Sequence, residues 1–413
     1  MPLNKTKVEL LNEASDKLIR ILDLDELLRN ILRIAREGLD ADRGTVYIVD
    51  REKQEIWSRI FLGDEISEFR MPVGTGISGY VARTGETLNI KDAYNHPLFN
   101  SDFDKKTGYR TKSILCMSIP NADNEIVGVF QMLNKRKGTF NRADVGFLRS
   151  LANYSAVAIE MASLHSEIVE KKRIEHELNI ARTIQESLLP HKIPEIEGYE
   201  VFGCNISCET VSGDYYDFYS LGGGSWVFAI GDVAGKGVPA SLMMAVAQSH
   251  FKALTGYDTS VTGIVKNLNN YLYANSTPEK FITFHFGILD TGNHAYEFVN
   301  AGHNPPVIIS NEEKIKELKT GGPPIGWLPN IEYNCENIRL KRGDMIFCFT
   351  DGITEVFDAN DQEFGEERLY AFLRKNRRLP LEKIFNRLMT VLKKFSHGKM
   401  DHDDMTVVAL RRI

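Results

Sequence analysis

Apolar positions divide the chain before any motif is considered. Leu18, Ile21, Leu22, Leu27, Ile31 and Ile34 recur at helical spacings and predict an amphipathic helix over residues about 16 to 40. Alternation takes over in Thr45-Val46-Tyr47-Ile48-Val49 and in Ile56-Trp57-Ser58-Arg59-Ile60-Phe61. After a glycine-rich stretch it returns over Ser113 to Pro120 and Ile126 to Asn134, and a helix restarts near Asn141. Helices at both ends of one antiparallel sheet make an α+β domain.

No glycine or proline occurs from Phe147 to Leu189, a stretch far longer than an ordinary helix. Val157, Met161, Leu164 and Ile168 step by four, three and four, the spacing of a coiled-coil seam. Ile174 and Leu178 fall out of that register across Lys171-Lys172, and Leu178, Ala181, Ile184 and Leu188 continue to Pro190. A dimerising linker helix is expected; the alternative is one solvated helix packed on its own domain.

Beyond Pro190 strands dominate. Val201 to Cys204, Trp226 to Ile230, Phe281 to Leu289, Tyr296 to Val299, Val307 to Ile309, Met345 to Phe349 and Thr406 to Leu410 read as extended. Helical blocks fall near 238–255, 260–275, 366–375 and 380–396. A tight turn at Asp290-Thr291-Gly292-Asn293 favours antiparallel pairing, hence a β-sandwich with helices outside.

Composition narrows the class. The 413 residues, 43% hydrophobic and 26% charged, suit a two-domain globular protein, and the net charge of −6 offers no basic face for nucleic acid. No apolar run reaches bilayer length, and Met1-Pro2-Leu3-Asn4-Lys5 lacks a secretory apolar stretch, so a cytoplasmic setting is expected. Cys116, Cys204, Cys208, Cys335 and Cys348 are sparse, and the Cys204/Cys208 pair has no second pair to complete a zinc site, so free thiols are expected.

The chemistry lies in acidic residues beside glycines. Ser212 to Asp217, Gly231 to Gly237, Thr350-Asp351-Gly352 and Asp401 to Thr406 each carry one or more aspartates, and Ile230, Phe349 and Val407 suggest that the last three border buried strands. Buried carboxylates cost several kcal/mol unless paired or metal-bound. Hard divalent cations such as magnesium or manganese would neutralise them, and two ions sharing Asp232 would ready a water for attack on phosphorus. Taken singly, Asp351 is an ordinary Asp-Gly turn and Asp214 or Asp217 a turn or cap residue. An EF-hand at Asp358 fails because Glu363 holds the required glycine position.

Residues from about 180 resemble the metal-dependent (PPM-type) protein phosphatases, in their sporulation and sigma-factor-regulatory branch. The matching stretches are Ala181 to Pro190, Ser212 to Asp217, Gly231 to Ala240, Asn300 to Pro306, Thr350 to Glu355 and Asp403 to Thr406. The resemblance implies a two-metal centre, with Asp232 bridging both ions, Val233 offering its carbonyl, Asp351 and Asp403 ligating, and Asp214 ahead of Asp217 from the first motif. Asp404 is expected to support these ligands. Eukaryotic members carry a histidine soon after the bridging aspartate; here Ala234-Gly235-Lys236-Gly237 leaves the general acid unassigned. His303 is expected to organise a turn, and for Lys236 two readings stand open, a contact to phosphate or a solvated side chain.

Val73 to Gly79 contains G-x-G-x-x-G, but no βαβ unit surrounds it, so a loop opening the helix Ile77 to Arg83 is expected. Residues about 16 to 163 resemble a GAF domain of the cyclic-nucleotide type, through Leu88 to Phe99 and Thr107 to Cys116. The subtype's signature appears as Asn134, Lys135, Phe140 and Asp144, with Val145 in place of its closing glutamate. The resemblance implies a pocket that includes Ser78, Thr107, Thr111 and Gln131 and takes cAMP or cGMP.

The expected layout is an N-terminal extension (1–15), a GAF sensor (16–163), a helical linker and switch segment (148–189) overlapping the last GAF helix, and a phosphatase domain (190–413). The expected function is a GAF-regulated serine/threonine protein phosphatase using two Mn2+ or Mg2+ ions. It would act as a homodimer on a phosphorylated STAS-domain anti-sigma-factor antagonist. The alternative is a ligand-gated binding protein with an inactive phosphatase-like domain. Cyclic-nucleotide hydrolysis lacks a histidine–aspartate metal set: His402 adjoins Asp403 without partner histidines.

Overall fold

The computed structural model describes residues 5–62, 65–257, 260–277, 279–399 and 403–413, and of 59–62, 65–67, 103, 106 and 107 the backbone alone. Two compact units divide the chain, Met1–Ile174 and Glu175–Ile413.

The first unit runs α1 (Lys7–Lys17), α2 (Leu24–Leu39), β1 (Ala41–Asp50), β2 (Glu55–Leu62), β3 (Glu65–Pro72), α3 (Gly76–Thr84), β4 (Leu88–Ile90), α4 (Asp102–Thr107), β5 (Ile114–Pro120), β6 (Ile126–Lys135) and the start of α5 (Arg142–Leu188). Its strands form one antiparallel sheet in the order β3-β2-β1-β6-β5-β4. The period of two sorts the faces. Val46 and Ile48 pack with Ile31, Ile34, Phe147 and Leu151 from α2 and α5, whereas Tyr47 faces Ile77 and Val81 of α3.

The single helix expected over 16–40 is broken. Asp23 accepts a hydrogen bond from Glu26 N (2.8 Å) and starts α2 afresh, while Thr6 and Glu9 form a capping box that starts α1. Helix α1 therefore lies largely within the residues expected as an extension, and its Leu10 and Ala14 are buried in the sensor core.

The second unit follows the end of α5 with β7 (Tyr199–Ile206), β8 (Tyr215–Gly222), β9 (Ser225–Val233), α6 (Gly237–Thr255), α7 (Val261–Asn275), β10 (Ile282–Asp290), β11 (Ala295–Ala301), β12 (Val307–Ile309), β13 (Ile315–Glu317), β14 (Gly321–Gly322), β15 (Glu336–Arg339), β16 (Met345–Phe349), α8 (Gly365–Asn376), α9 (Leu381–Phe395) and β17 (Met405–Arg412). One sheet is ordered β14-β11-β10-β9-β8, with β15 also on β11; the other is β13-β12-β16-β17-β7. Pairing is antiparallel throughout except for the short parallel contact of β14 with β11.

Alternation again builds the layers. Phe228 and Ile230 of β9 meet Ile346, Cys348, Val408 and Leu410 between the sheets. The intervening Val227, Ala229 and Val233 pack under α6 and α7, and Phe347, Phe349, Val407 and Ala409 pack under α8 and α9. The result is a four-layer αββα sandwich.

Along α5 the seam residues Val157, Met161, Leu164 and Ile168 are 43% to 58% exposed. All five cysteines are free thiols. Among the described residues no helix is long and apolar enough to cross a membrane.

Candidate metal centre and sensor pocket

The inter-sheet layer is apolar along its length and turns polar at one end. On five strands the residue with inter-sheet parity just past the last apolar side chain is polar or acidic. These residues are Asn205 after Val201 and Gly203, Asp214 before Tyr216, Asp232 after Ile230, Thr350 after Cys348, and Thr406 before Val408. They meet. Thr350 Oγ1 donates to Asp214 Oδ2 (2.9 Å), Thr406 Oγ1 donates to the same oxygen, and Asn205 Nδ2 donates to Thr406 Oγ1 (2.7 Å).

Asp214 is buried, close enough to Asp232 to feel its charge. Burial, then the charge of Asp232, holds its carboxyl well above the usual range. Asp232 is pushed up to about 7 by burial and by the charges of Asp351, Asp403 and Asp404. Burial and Asp403 raise Asp351 as well. The structure thus brings together Asp214, Asp232, Asp351 and Asp403. The Val233 carbonyl faces the same loop, since a Cβ added at Gly213 would stand 3.4 Å from it.

Asp217 is elsewhere. Its odd parity on β8 turns it to the helix side, where it accepts from Lys252 Nζ (2.8 Å), Tyr215 Oη (2.9 Å) and Phe218 N (2.9 Å). Asp404 is a brace: it accepts from Cys208 N (2.8 Å), Ser212 Oγ (2.6 Å) and Gly213 N (2.9 Å), and so fixes the loop that carries Asp214. On α5, Gln185 accepts from Ser212 N (2.8 Å) and donates to Ser212 O (2.5 Å), a two-way clamp on that loop. His303 is buried; Asn300 accepts from its N–H (2.8 Å) and donates to its carbonyl (3.0 Å). Its ring pairs with Thr283 (2.9 Å), and burial lowers it to about 4, which suits the turn-organising role.

These donors are oxygens only, the chemistry that suits hard divalent cations, and burial with neighbouring carboxylate charge suppresses ionisation at Asp214, Asp232 and Asp351. Among the described residues no three acidic, histidine or cysteine side chains are grouped closely enough to hold a metal ion together. The ion pair of Asp403 with Lys236 (2.9 Å) and the threonine clasp on Asp214 engage two of the candidate ligands.

In the sensor unit, Ser78 lies buried beside Tyr47 and Cys116, without a partner at hydrogen-bonding geometry among the described residues, and Tyr47 Oη donates to Gln131 (3.2 Å). Thr111 is engaged by Asp104, which accepts from its N–H (2.7 Å) and hydroxyl (2.8 Å). The Thr107 side chain lies outside the described residues. The glycine motif closes a turn: Gly74 N donates to Gly79 O (2.8 Å), and a Cβ at Gly79 would stand 3.0 Å from Gly74 N. Lys135 and Lys7 (2.6 Å) both pair with buried Asp144, and Asn134 accepts from the N–H of Lys112 (2.6 Å), which ties the strand entry to β6.

A sandwich of this layering, with acidic strand ends converging from both sheets, defines a PP2C-like phosphatase fold. Residues 222–413 match the family described as Stage II sporulation protein E (SpoIIE), and residues 23–159 match the GAF domain family. The chain therefore joins a GAF domain to a phosphatase domain of the SpoIIE-type PP2C kind.

Phosphoserine phosphatase RsbU of Bacillus subtilis is 29% identical over 244 residues, covering 59% of this chain and 72% of that protein. The probable 3',5'-cyclic phosphodiesterase pde-5 of Caenorhabditis elegans is 38% identical over 173 residues, 39% of this chain and 23% of its own length. Of four other curated relatives the chain spans 41% of the length or less. The SiaA-PP2C domain of Pseudomonas aeruginosa shares the fold, with a TM-score of 0.53 and 21% identity over 59% of this chain and 98% of that domain.

Proposed function

We propose that this chain is a metal-dependent serine/threonine protein phosphatase governed by a ligand of its GAF domain. The observation that carries it is the convergence of Asp214, Asp232, Asp351 and Asp403 at one end of the sandwich, with ionisation suppressed at the first three. Asp232 would bridge two manganese or magnesium ions, with Asp214, Asp351, Asp403 and the Val233 carbonyl completing the donors. When bound, such ions supply Lewis acidity toward the phosphoryl group and make water a stronger nucleophile. Thr350, Thr406 and Asp404 orient the acidic residues, and the sandwich keeps that end preorganised.

The substrate we propose is a phosphoserine or phosphothreonine on a STAS-domain anti-sigma-factor antagonist, in a cytoplasmic setting. The likeness to phosphoserine phosphatase RsbU over 59% of the chain supports this class. The proposed functional division is a sensor over 16–163 with α1 added, a linker and switch over 148–189, and a phosphatase domain over 190–413. The sensor would take cAMP or cGMP in a pocket containing Ser78, Thr107, Thr111 and Gln131. The likeness to a cyclic phosphodiesterase supports that ligand class. The exposed seam of α5 would pair two copies, and Ala181 to Leu189 would pass the signal through the Gln185 clamp, a coupling of roughly 1–3 kcal/mol.

The test is manganese-supported hydrolysis of a phosphoserine peptide by wild type and Asp232→Asn, with cAMP or cGMP titrated in. Equal rates for both proteins would sink the assigned centre. An inactive, ligand-gated binding protein would show neither turnover nor manganese uptake.

A further inference from the structure

Asp232 is followed by a loop that places a cation at the acidic centre. Lys236 Nζ lies 2.9 Å from Asp403 Oδ2, with the lysine side chain 47% exposed and that of Asp403 30% exposed. The lysine charge also reaches Asp351 and Glu355. Lys236, Glu355, Phe357, Asp403 and Met405 line a cavity of about 250 Å³. Lys280, on the other side of the loop, donates to Ala234 O (2.8 Å) and braces the backbone.

A phosphoryl group delivered to this cavity would meet several carboxylates. Repulsion there must be offset, and among the described residues Lys236 is a cation in position to do so. An ammonium is a compact charge with three donors on a flexible stem, so it can leave one oxyanion for another without a backbone change. Asp403, meanwhile, cannot keep a close lysine contact and give its full charge to an ion.

We propose that Lys236 is an exchangeable cation that holds Asp403 before ions load and then grips the phosphoryl oxygens of the substrate. The proposal rests on the phosphatase reading and adds the group that binds the phosphate. It makes Lys236 a competitor of the metal for Asp403 and a partner of the phosphate, so its removal must move the two affinities in opposite directions.

The experiment uses the full chain as wild type, K236M and K236R, with matched unfolding midpoints as the folding control. Manganese alone is titrated by calorimetry. Inorganic phosphate is then titrated into the manganese-loaded proteins and used as a product inhibitor of phosphoserine-peptide hydrolysis.

In K236M manganese should bind roughly two- to fivefold tighter, the size of a released part-exposed ion pair. Phosphate should bind roughly tenfold weaker or more, the loss of a charge-assisted hydrogen bond, with KM raised more than kcat falls. K236R, which keeps the charge, should retain phosphate binding. Manganese affinity that is unchanged or weaker in K236M, or phosphate affinity that is unchanged, overturns the proposal. A wild type that takes up manganese and phosphate but does not hydrolyse the peptide refutes the phosphatase reading alone, because the calorimetry still reads Lys236.

Discussion

Thr406 stands 192 positions from Asp214, and its hydroxyl donates a hydrogen bond to that buried carboxylate. Thr350 donates to the same oxygen from the neighbouring strand end. The floor of the acidic centre is therefore assembled from both sheets, and its anchoring threonines belong to none of the proposed ligands.

Thr406→Val preserves shape and removes one donor, and it leaves Asn205 Nδ2 with its longer contact to Ser212 Oγ (3.5 Å) in place of the short one to Thr406. The expected loss is about 1–3 kcal/mol of stability in metal-free protein. A denaturant titration checks it; an unchanged midpoint would show that the threonine clasp is incidental.

Asp217 and Asp232 should separate stability from activity. Asp217→Ala removes the acceptor of Tyr215 and Lys252, and because that lysine is 42% exposed the expected cost is about 1–3 kcal/mol, with peptide hydrolysis retained. Asp232→Asn should abolish hydrolysis without lowering the melting temperature. Loss of activity in a well-folded Asp217→Ala protein would return Asp217 to the centre.

Stability without metal should fall as pH rises from about 4 to about 7. Asp232 keeps its proton in the folded chain up to about 7, while an unfolded aspartate loses it near 3.9, so the folded state binds more protons across that window. Asp232→Asn should flatten the slope, and manganese should raise the melting temperature most at the alkaline end. Thermal scans from pH 4.5 to about 8 read all three.

Gln185→Ala cuts both bonds that tie α5 to Ser212. Manganese affinity and basal turnover should fall roughly tenfold, the equivalent of about 1.4 kcal/mol, and the response to cyclic nucleotide should be lost. A variant that keeps its full ligand response would remove α5 from the proposed signal path.

Leu164→Glu together with Ile168→Glu places charges on two seam positions that are 58% and 53% exposed. Sedimentation should shift from dimer to monomer while helicity by circular dichroism is kept. A wild type that sediments as a monomer at micromolar concentration would end the seam's role.

Much of this architecture was legible in local pattern. Helical and alternating periods marked strands in all three sheets and the long helix α5, because the burial of one face imposes a period on each segment. Three features escaped for identifiable reasons. The Tyr215–Gly222 strand was hidden by Asp217 amid aromatic residues, and the capping residue Asp23 breaks a helix that apolar spacing alone runs together. Thr350, Thr406 and Asn205 were overlooked because hydroxyl and amide side chains at strand ends look like ordinary turn residues, although their shared parity with Cys348, Val408 and Val201 was a usable signal.

By itself the sequence determined which segments form strands and helices, and it supplied acidic residues beside flexible backbone in four separate places. Only the tertiary structure decided which of them meet. Asp214 joins the centre and Asp217 does not because pleat parity on one strand is turned into position by pairing with another, and Asp403 meets Lys236 through a fold that closes more than 160 residues of chain. Local pattern sets the face on which a side chain stands; packing of one sheet on another sets what it finds there.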